Sequence, residues 1–484
     1  MNNNCLSQPG RRAFITHTLT GLVGVSAFAG LASGCANSRF SADTNDQWPL
    51  ADAIRQRVTV PAFPDRRFDI RDFGAKGDGV FENTEVFAKA IAACHTAGGG
   101  KVIVPPGRYL SGPIHLLSNV NLHLVEGAAI AFVTNPDAYL PAVLTRWEGM
   151  EMMGYSPLIY AYGQNNIAVT GKGTVDGQAN RTTWWPWKGN NFSSVDWGVP
   201  GVPTQTEARN QLMQDVENNL PVDQRLYAQD SRLRPVFIQP YKCTNVLIEG
   251  ITITNAPFWL LNPVLCKSVT IDAVNFASLG PNSDGCDPES CSDVIIKNCI
   301  FDTGDDCIAI KSGRNADGRR LNIPSENILI SHCKMRSGHG GVVIGSEISG
   351  GARNVFVENC EMSSPDLDRG IRIKTNSVRG GLIENFLVRD VTIGEVDTAI
   401  VIDFDYEEGD AGKFPPTVRN IDIRNLVCQK AKRVFQVRGY PHSPIRNLHL
   451  TDCRFVDVGE IGILEQLDNF AAKRVYIKDT EFKV

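Results

Sequence analysis

The chain has 484 residues, of which 42% are hydrophobic and 21% charged, with 44 glycines and a formal charge of −5 at pH 7. This composition excludes a disordered protein and is typical of a turn-rich globular one. An acidic chain is also a poor non-specific binder of nucleic acid, so an acidic ligand would need a local cluster of Arg and Lys.

Residues 1–35 are typical of an export signal. Arg11 and Arg12 precede an apolar stretch rich in Gly and Ala, which favours the twin-arginine route. Simple cleavage and lipidation of Cys35, in the imperfect lipobox LASGC, are both open, and we favour lipidation. We therefore expect an exported protein that is periplasmic, anchored in the outer membrane through Cys35, or secreted, with residues 36–66 as a linker. We expect no other contact with a membrane.

A helix is predicted near the start of the remaining domain, residues 67–484. Apolar residues at helical spacing predict an amphipathic helix from about Asn83 to His95, after a strand and a glycine turn. Such a helix can cover the strand edge that is exposed at the open end of a stack of strands.

Residues 179–234 contain the sequence WWPWKGNN and few strand signals, which predicts a long insertion between coils. Insertions of this length are commonly functional. Trp184, Trp185 and Trp187 could stack on sugar rings or pack the insertion down, and both alternatives stay open.

Short strand patterns recur through the second half of the chain. Apolar–x–apolar triplets begin 23 to 35 residues apart, and in eight of nine cases the fifth residue after the start is apolar or Cys. A period of this length marks stacked units, and the alternation makes each unit a strand. We predict an all-β fold, a right-handed parallel β-helix with a short N-terminal capping helix. The triplets begin at Val246, Val269, Val294, Ile328, Val355, Phe386, Ile421, Leu448 and Val475.

The cysteines fit the same repeat. Thirteen cysteines in an exported protein would suggest disulfides. Four of them fall on the interior position of the repeat and are predicted to be small buried hydrophobes, namely Cys299, Cys333, Cys360 and Cys453. The best candidate for a disulfide joins Cys286 and Cys291. No Cys/His spacing indicates zinc, and we predict no metal and no cofactor.

Polar residues lie at a similar position in four consecutive coils, which would bring them together on one face over roughly 15 Å. Carboxylates this close cannot all ionise, so one can act as an acid and another as a base, as glycosidic cleavage requires. Two cations spaced two apart on a strand could bind a sugar carboxylate. The sequence thus favours an acidic polysaccharide as partner. The residues are Asp284, Asp305, Asp306, His339, Arg372 and Lys374.

Four motifs in this order resemble glycoside hydrolase family 28, the polygalacturonases: NSD at 282–284, GDD at 304–306, GHG at 338–340 and RIK at 372–374. The opening DFGAKGDG…NT is also shared with pectin-acting β-helices. The resemblance covers about residues 67–484. Ser283 departs from the family, which usually has Thr at this position, but the hydroxyl is kept.

The resemblance implies a role for each motif residue. Asp305 would be the general acid, while Asp284 and Asp306 would activate the attacking water. His339 would orient and tune the acid, and Asn282 would orient its own turn. Arg372, Lys374 and Tyr406, the last in the sequence FDYEEG, would contact the galacturonate.

The resemblance also implies hydrolysis of α-1,4-galacturonosyl linkages of pectin or oligogalacturonides with inversion, and the long insertion is similar to the exo-acting bacterial branch. Stacking alone would place the carboxylates near 5 Å apart, which the general spacing rule assigns to retention; we follow the family. The alternatives are a Ca²⁺-dependent pectate lyase on the same scaffold and a noncatalytic polysaccharide-binding solenoid.

Overall fold

The computed structural model of the protein describes residues 47–190 and 195–484. The predicted export signal and Cys35 lie outside the described residues. In the described ranges, no helix has the length and apolar character needed to cross a membrane.

Strands dominate the described ranges, with four α-helices and four short 3₁₀ helices. The α-helices are α1 (Trp48–Arg57), α2 (Thr84–Thr96), α3 (Thr206–Glu217) and α4 (Asn315–Leu321), and the 3₁₀ helices are Ile70–Phe73, Pro136–Tyr139, Trp185–Lys188 and Val222–Gln224. The strands up to the middle of the chain are β1 (Arg67–Asp69), β2 (Asp78–Glu82), β3 (Gly100–Val104), β4 (Gly107–Ser111), β5 (Ile114–His115), β6 (Val120–Leu124), β7 (Ala128–Phe132), β8 (Val143–Trp147), β9 (Met150–Gly154), β10 (Ile159–Tyr162), β11 (Asn165–Gly171), β12 (Thr174–Asp176), β13 (Leu226–Tyr227), β14 (Ile238–Tyr241), β15 (Thr244–Glu249), β16 (Thr252–Thr254) and β17 (Lys267–Asp272). The remaining strands are β18 (Asn275–Ser278), β19 (Ser292–Lys297), β20 (Ile300–Thr303), β21 (Ile308–Ile310), β22 (Ser325–Ser331), β23 (Lys334–Ser337), β24 (Val342–Ile344), β25 (Ala352–Glu358), β26 (Glu361–Met362), β27 (Arg369–Lys374), β28 (Leu382–Asp403), β29 (Thr417–Arg438), β30 (Ile445–Thr451), β31 (Arg454–Glu465), β32 (Leu467–Lys473), β33 (Tyr476–Ile477) and β34 (Thr480–Glu481).

The strands stack in parallel, one coil above another, on three faces. The first face runs through β15, β17, β19, β22, β25 and β28, and the second through β16, β18, β20, β23 and β26. The third face contains β21, β24, β27 and the end of β28. Each coil therefore contributes one strand to each face, which confirms the predicted parallel β-helix.

Eight of the nine predicted triplet starts are confirmed as one column of the first face, from Val246 to Leu448. The ninth is wrong, because Leu448 pairs with Phe470 and not with Val475. Phe470 is followed by two alanines, so the apolar–x–apolar triplet of the last strand is weak, with the small Ala472 as its third residue. Val475 instead occupies the fifth position after Phe470 and is fully buried, so all nine coils place an apolar residue or Cys there.

The interior position of the repeat is buried in every coil, and the four cysteines predicted there are part of the core. Cys286 and Cys291, the best candidates for a disulfide, do not form one, because both thiols are free and buried. Cys291 stacks instead on the neighbouring coil, where its Sγ lies 3.4 Å from the backbone nitrogen of Cys266. The pair is five apart in sequence but belongs to two different columns of the core.

Helix α2 caps the first coil as predicted, and its apolar face joins the main core through Phe87, Ala90 and Ile91. The N-cap is Asn83, and the helix ends one residue beyond the predicted His95. The edge of the first strands is therefore covered by apolar side chains.

Helix α1 lies in the interval predicted as a linker, and the sequence reading named no element there. It packs Trp48, Ala51 and Ile54 on the outer side of the first face. The apolar residues beneath it are the middle residues of four successive triplets, Ile295, Leu329, Phe356 and Leu387. The helix therefore spans four adjacent coils.

Two segments leave the coil at the same corner, between the second and third faces. The first is the antiparallel hairpin β8–β9, which lies between β7 and β10. The second follows β12 and returns at β14, and it contains the predicted insertion 179–234. The insertion includes helix α3, whose Leu212 and Val216 pack with Trp147 and Met150 of the hairpin. Both segments stand on the corner that carries the acidic turns in the following coils.

Candidate active site

The acidic turns meet at this corner because the neighbouring strands are in register. Cys286 and Ile308 are bridge partners, so Asp284 and Asp306, each two residues earlier, occupy equivalent positions in adjacent coils. The Gly285 nitrogen donates to the Asp306 carbonyl at 3.0 Å, and the His339 nitrogen donates to the Asp305 carbonyl at 3.2 Å. Oxygen atoms of the Asp284, Asp305 and Asp306 carboxylates all lie within 4.8 Å of one another.

A cavity of about 320 Å³ opens above these carboxylates. Seven cationic and six acidic side chains line it, together with His339, Asn282 and Tyr406. The cationic residues are Lys188, Arg209, Lys311, Arg314, Arg369, Arg372 and Lys374, and the acidic ones are Glu148, Asp284, Asp305, Glu347, Asp368 and Glu407. The lining can therefore balance a ligand that brings its own negative charges.

Asp305 and His339 form an ion pair that faces the cavity. The His339 Nδ1 lies 3.0 Å from Asp305 Oδ1, and the imidazole is half-exposed. The carboxylate and the hydrogen bond raise the pKa of His339 to about 8. Burial alone would raise the pKa of Asp305, but His339 outweighs it, with help from Lys374 and Lys311, and holds that pKa far below its usual range. The pair therefore carries one proton, which resides on the imidazole side.

Asp306 lies beneath the cavity and has no exposed surface. Lys374 Nζ donates to its Oδ2 at 2.6 Å, and Arg372 Nη1 donates to its Oδ1 at 3.4 Å. Both cations come from β27, where Ile371 and Ile373 turn into the core and leave Arg372 and Lys374 on the outer side. The Tyr406 ring faces both, 5.6 Å from the Arg372 guanidinium and 5.4 Å from the Lys374 ammonium.

Asp284 faces the cavity from a more enclosed position. Lys311 Nζ lies 3.7 Å from its Oδ2 and the same distance from Oδ2 of the buried Asp287. Burial, and after it the charge of Asp287, raises the pKa of Asp284 well above its usual range, and Lys311 opposes this. Asp284 and Asp305 thus face one cavity with pKa values shifted in opposite directions.

Asn282 holds the first turn in place. Its backbone has a φ of 53°, which Asn tolerates better than most residues. Its Oδ1 accepts a hydrogen bond of 2.7 Å from Arg234 Nη2, which belongs to the insertion. The turn with Asp284 is therefore tied to the insertion.

The structure brings together all eight residues predicted for the site, and seven of them line the cavity. Asp306 is the exception, because Lys374 and Arg372 enclose it. Among the three tryptophans of the insertion, Trp184 and Trp187 pack against each other, with ring centroids 4.9 Å apart, and Trp185 donates from Nε1 to the Ala256 carbonyl at 2.9 Å. None of the three lines the cavity, which favours their role in packing the insertion.

Sequence reasoning missed Lys311, Glu347 and Arg314. Lys311 follows β21 and Lys374 ends β27, and the pairing of β21, β24 and β27 places the two lysines at the same strand position two coils apart. That shared position was a signal in the sequence. Glu347 had no such signal, because it follows the third-face strand in a turn of its own; it binds Lys311 at 3.1 Å and Arg314 at 3.2 Å.

Each of the three carboxylates already faces a positive side chain. Asp306 has Lys374 and Arg372, Asp305 has His339, and Asp284 has Lys311. A divalent cation prefers carboxylates whose charge is not yet compensated. The cluster is therefore suited to proton transfer rather than to the calcium chemistry of a lyase.

Comparisons with known proteins agree with this geometry. The model of the family "Glycosyl hydrolases family 28" matches residues 223–453, and that of "Rhamnogalacturonase A/epimerase, pectate lyase-like" matches residues 67–125. A hyperthermoactive exopolygalacturonase from Thermotoga maritima is 40% identical, with a TM-score of 0.86 over 90% of this chain and 97% of that one.

Two curated relatives extend the comparison. A probable polygalacturonase from Vitis vinifera is 25% identical over 79% of this chain and 72% of its own length. An exo-poly-alpha-D-galacturonosidase from Dickeya chrysanthemi is 26% identical over 77% of this chain and 63% of its own length. Sequence and structure therefore point to the same group of glycosidases.

Proposed function

Because the chain belongs to glycoside hydrolase family 28, we propose that its cavity hydrolyses α-1,4-galacturonosyl linkages of pectin or oligogalacturonides from the chain end. The observation that carries the proposal is one cavity that combines a cluster of carboxylates, whose oxygens lie within 4.8 Å of one another, with several cations in its lining. Acid–base cleavage of an acidic saccharide needs both features.

The Asp305–His339 pair supplies the proton to the leaving group. The proton on His339 Nδ1 moves across the 3.0 Å contact to Asp305 Oδ1 and from there to the glycosidic oxygen. Asp305 then bears the negative charge again, and the leaving sugar takes the proton with its new hydroxyl. This sequence assigns Asp305 as the general acid, with His339 as the group that reloads it.

Asp284 accepts the proton of the attacking water. Its side chain lines the cavity and is 5% exposed there, which lets a water in the cavity approach the carboxylate. Attack of the water on the anomeric carbon, opposite the departing oxygen, inverts the configuration in a single displacement. Asp306 is enclosed by Lys374 and Arg372. Its role in activating water stays a prediction.

Arg372 and Lys374 bind the substrate carboxylate. They project from one strand toward the same cavity, and the Tyr406 ring faces both side chains. A guanidinium and an ammonium side by side suit a carboxylate on the sugar. The insertion and the hairpin add Lys188, Arg209 and Glu148 to the lining, and such a wall favours a chain end as substrate.

The test is Asp305→Asn, with oligogalacturonides as substrate and chromatographic sizing of products. We expect kcat to fall by about 10²- to 10⁴-fold, the contribution of a general acid. Asp302→Asn is the matched control, because Asp302 lies on β20 and does not line the cavity. Wild-type product should be monomer with a reducing end and no new ultraviolet absorbance. Unsaturated product would indicate the lyase, and full activity of Asp305→Asn would overturn the acid assignment.

Export is also part of the proposal, and it is supported by the pattern of residues 1–35. We expect the protein outside the cytoplasm, attached to a membrane through Cys35. Cell fractionation of wild type and Cys35→Ala tests this, and a cytoplasmic wild type would contradict it.

A further inference from the structure

Lys311 is a buried cation that the family motifs do not include. Its side chain is 3% exposed, and its ammonium lies 3.1 Å from Glu347 Oε2 and 3.7 Å from both Asp284 and Asp287. The indole of Trp259 covers it at 4.5 Å. A lysine with this little exposure is normally compensated by fixed partners.

Lys311 has more carboxyl groups around it than its single positive charge can compensate. Glu347 has a second cation, Arg314, at 3.2 Å, and the pKa of Glu347 is lowered because these cations outweigh its burial. Glu347 is therefore ionised and compensated by Arg314. Lys311 is left to compensate one further charge, while two carboxyl groups, Asp284 and Asp287, compete for it.

Asp287 is the better place for the proton of this pair. It has no exposed surface, and neither of its oxygens makes a hydrogen bond within the described part of the chain. Asp284 instead faces the cavity, where water can solvate its charge. Since a buried charge without hydrogen bonds is costly, the negative charge belongs on Asp284.

We propose that Lys311 is a positioning residue for the hydrolysis, whose ammonium keeps Asp284 ionised toward the attacking water while Asp287 holds the proton. The inference rests on the function proposed above, in which Asp284 accepts a proton. Lys311 acts through Asp284 and contacts no reacting atom.

The electrostatic surroundings are consistent with this assignment. Burial raises the pKa of Asp284, and Lys311 acts in the opposite direction. The charge of Asp287 is the second cause that raises this pKa, and a proton on Asp287 removes that cause. The other charged groups near Lys311 come from each neighbouring coil and from the hairpin β8–β9: Glu289, Asp305, Asp306, Lys374 and, beyond Glu289, Arg146. None of these contacts brings a second cation within 4.0 Å of Asp284 in the described residues.

The experiment is the pH dependence of kcat/KM on an oligogalacturonide. Activity requires ionised Asp284, so the acid limb of the profile reports its pKa. In Lys311→Met the midpoint of that limb should rise by about one pH unit or more, because a compensating charge is lost. In Asp287→Asn it should stay near that of wild type, because the neutral amide replaces a carboxyl group that already carries the proton. Lys311→Arg should keep the midpoint near that of wild type.

The contrast between Lys311→Met and Asp287→Asn makes the test decisive. A merely structural lysine would lower kcat/KM at all pH values without moving the midpoint, and that result would overturn the inference. If Lys311→Met does not fold, a clearly lowered midpoint in Asp287→Asn overturns it equally, because that result would show that Asp287 carries a negative charge beside Asp284. Lys297→Met, on the surface of β19, is the matched control and should change nothing. A wild type without hydrolase activity would instead refute the proposed function.

Discussion

The Asp305–His339 pair makes the site dependent on one titrating proton. The pKa of His339 is raised to about 8, so the imidazolium is present below that pH and is lost above it. If His339 reloads the acid, kcat/KM should decline as the pH rises through 8. The ordinary pKa of an unfolded His is about 6.5, so the pair also stabilises the fold below that pH, and this contribution disappears through pH 8.

We expect His339→Gln to lose this alkaline limb and to lower kcat by roughly 10²-fold, within the range for acid–base groups. The measurement is the pH profile of wild type and variant on the same oligogalacturonide. His442→Gln, an exposed histidine outside the cavity, serves as the control. An alkaline limb near 8 that persists in His339→Gln would show that another group titrates there.

At the residue scale, the sequence predicted the groups that the repeat itself places. Asp284, Asp305, Asp306 and His339 are brought together by strand register alone, and register is readable from the triplets. Lys188 and Arg209 were not predicted, because they reach the cavity only through the fold of the insertion. The shifts in pKa could not be predicted from the sequence either, because they depend on burial and on neighbouring charges.

At the element scale, the triplets predict the surface on which helix α1 docks, but they do not predict the helix itself. Four successive triplets have an apolar middle residue, at the position that points away from the core. Such a ladder on the outer side of a sheet indicates that another part of the protein or a partner covers it. The four apolar residues of the docking surface can therefore be recognised in the sequence. The helix that covers them lies more than 200 residues earlier, and no local pattern connects the helix with this surface.

We expect Ile54→Ala to destabilise the protein by about 2–4 kcal/mol, because Ile54 is fully buried between α1 and the first face. Chemical denaturation followed by tryptophan fluorescence measures the change. Gln56→Ala, on the exposed side of the same helix, should stay within about 0.5 kcal/mol of wild type. Equal effects of the two substitutions would show that α1 does not dock as described.

At the scale of the whole molecule, the fold is stabilised by its stacked core without covalent cross-links among the described residues. All eleven cysteines in the described ranges are free and buried, and several line the same interior columns as Val and Ile. Burial raises the pKa of most of these thiols, for example that of Cys94 to about 11 and that of Cys453 to about 11. They are therefore packing groups and are protected from reaction.

A reductant should consequently leave the melting temperature unchanged to within about 1 °C, since no described disulfide contributes to stability. Titration with a thiol reagent should detect these eleven groups only after denaturation. A clear drop in melting temperature on reduction would contradict the assignment of Cys286 and Cys291 as free thiols.

The position of helix α1 has a consequence for the order of folding. The four coils beneath it are those that carry Asp305, His339, Arg372 and the approach to Tyr406, and Gln47 at its start donates to Asn385, 338 residues later, at 3.3 Å. Because a chain is synthesised from its N-terminus, the helix is made long before its docking surface exists, and a helix of ten residues is marginal on its own. We therefore expect helix α1 to be among the last elements to dock. The four coils that carry the cavity residues would then stack before the helix covers their outer side.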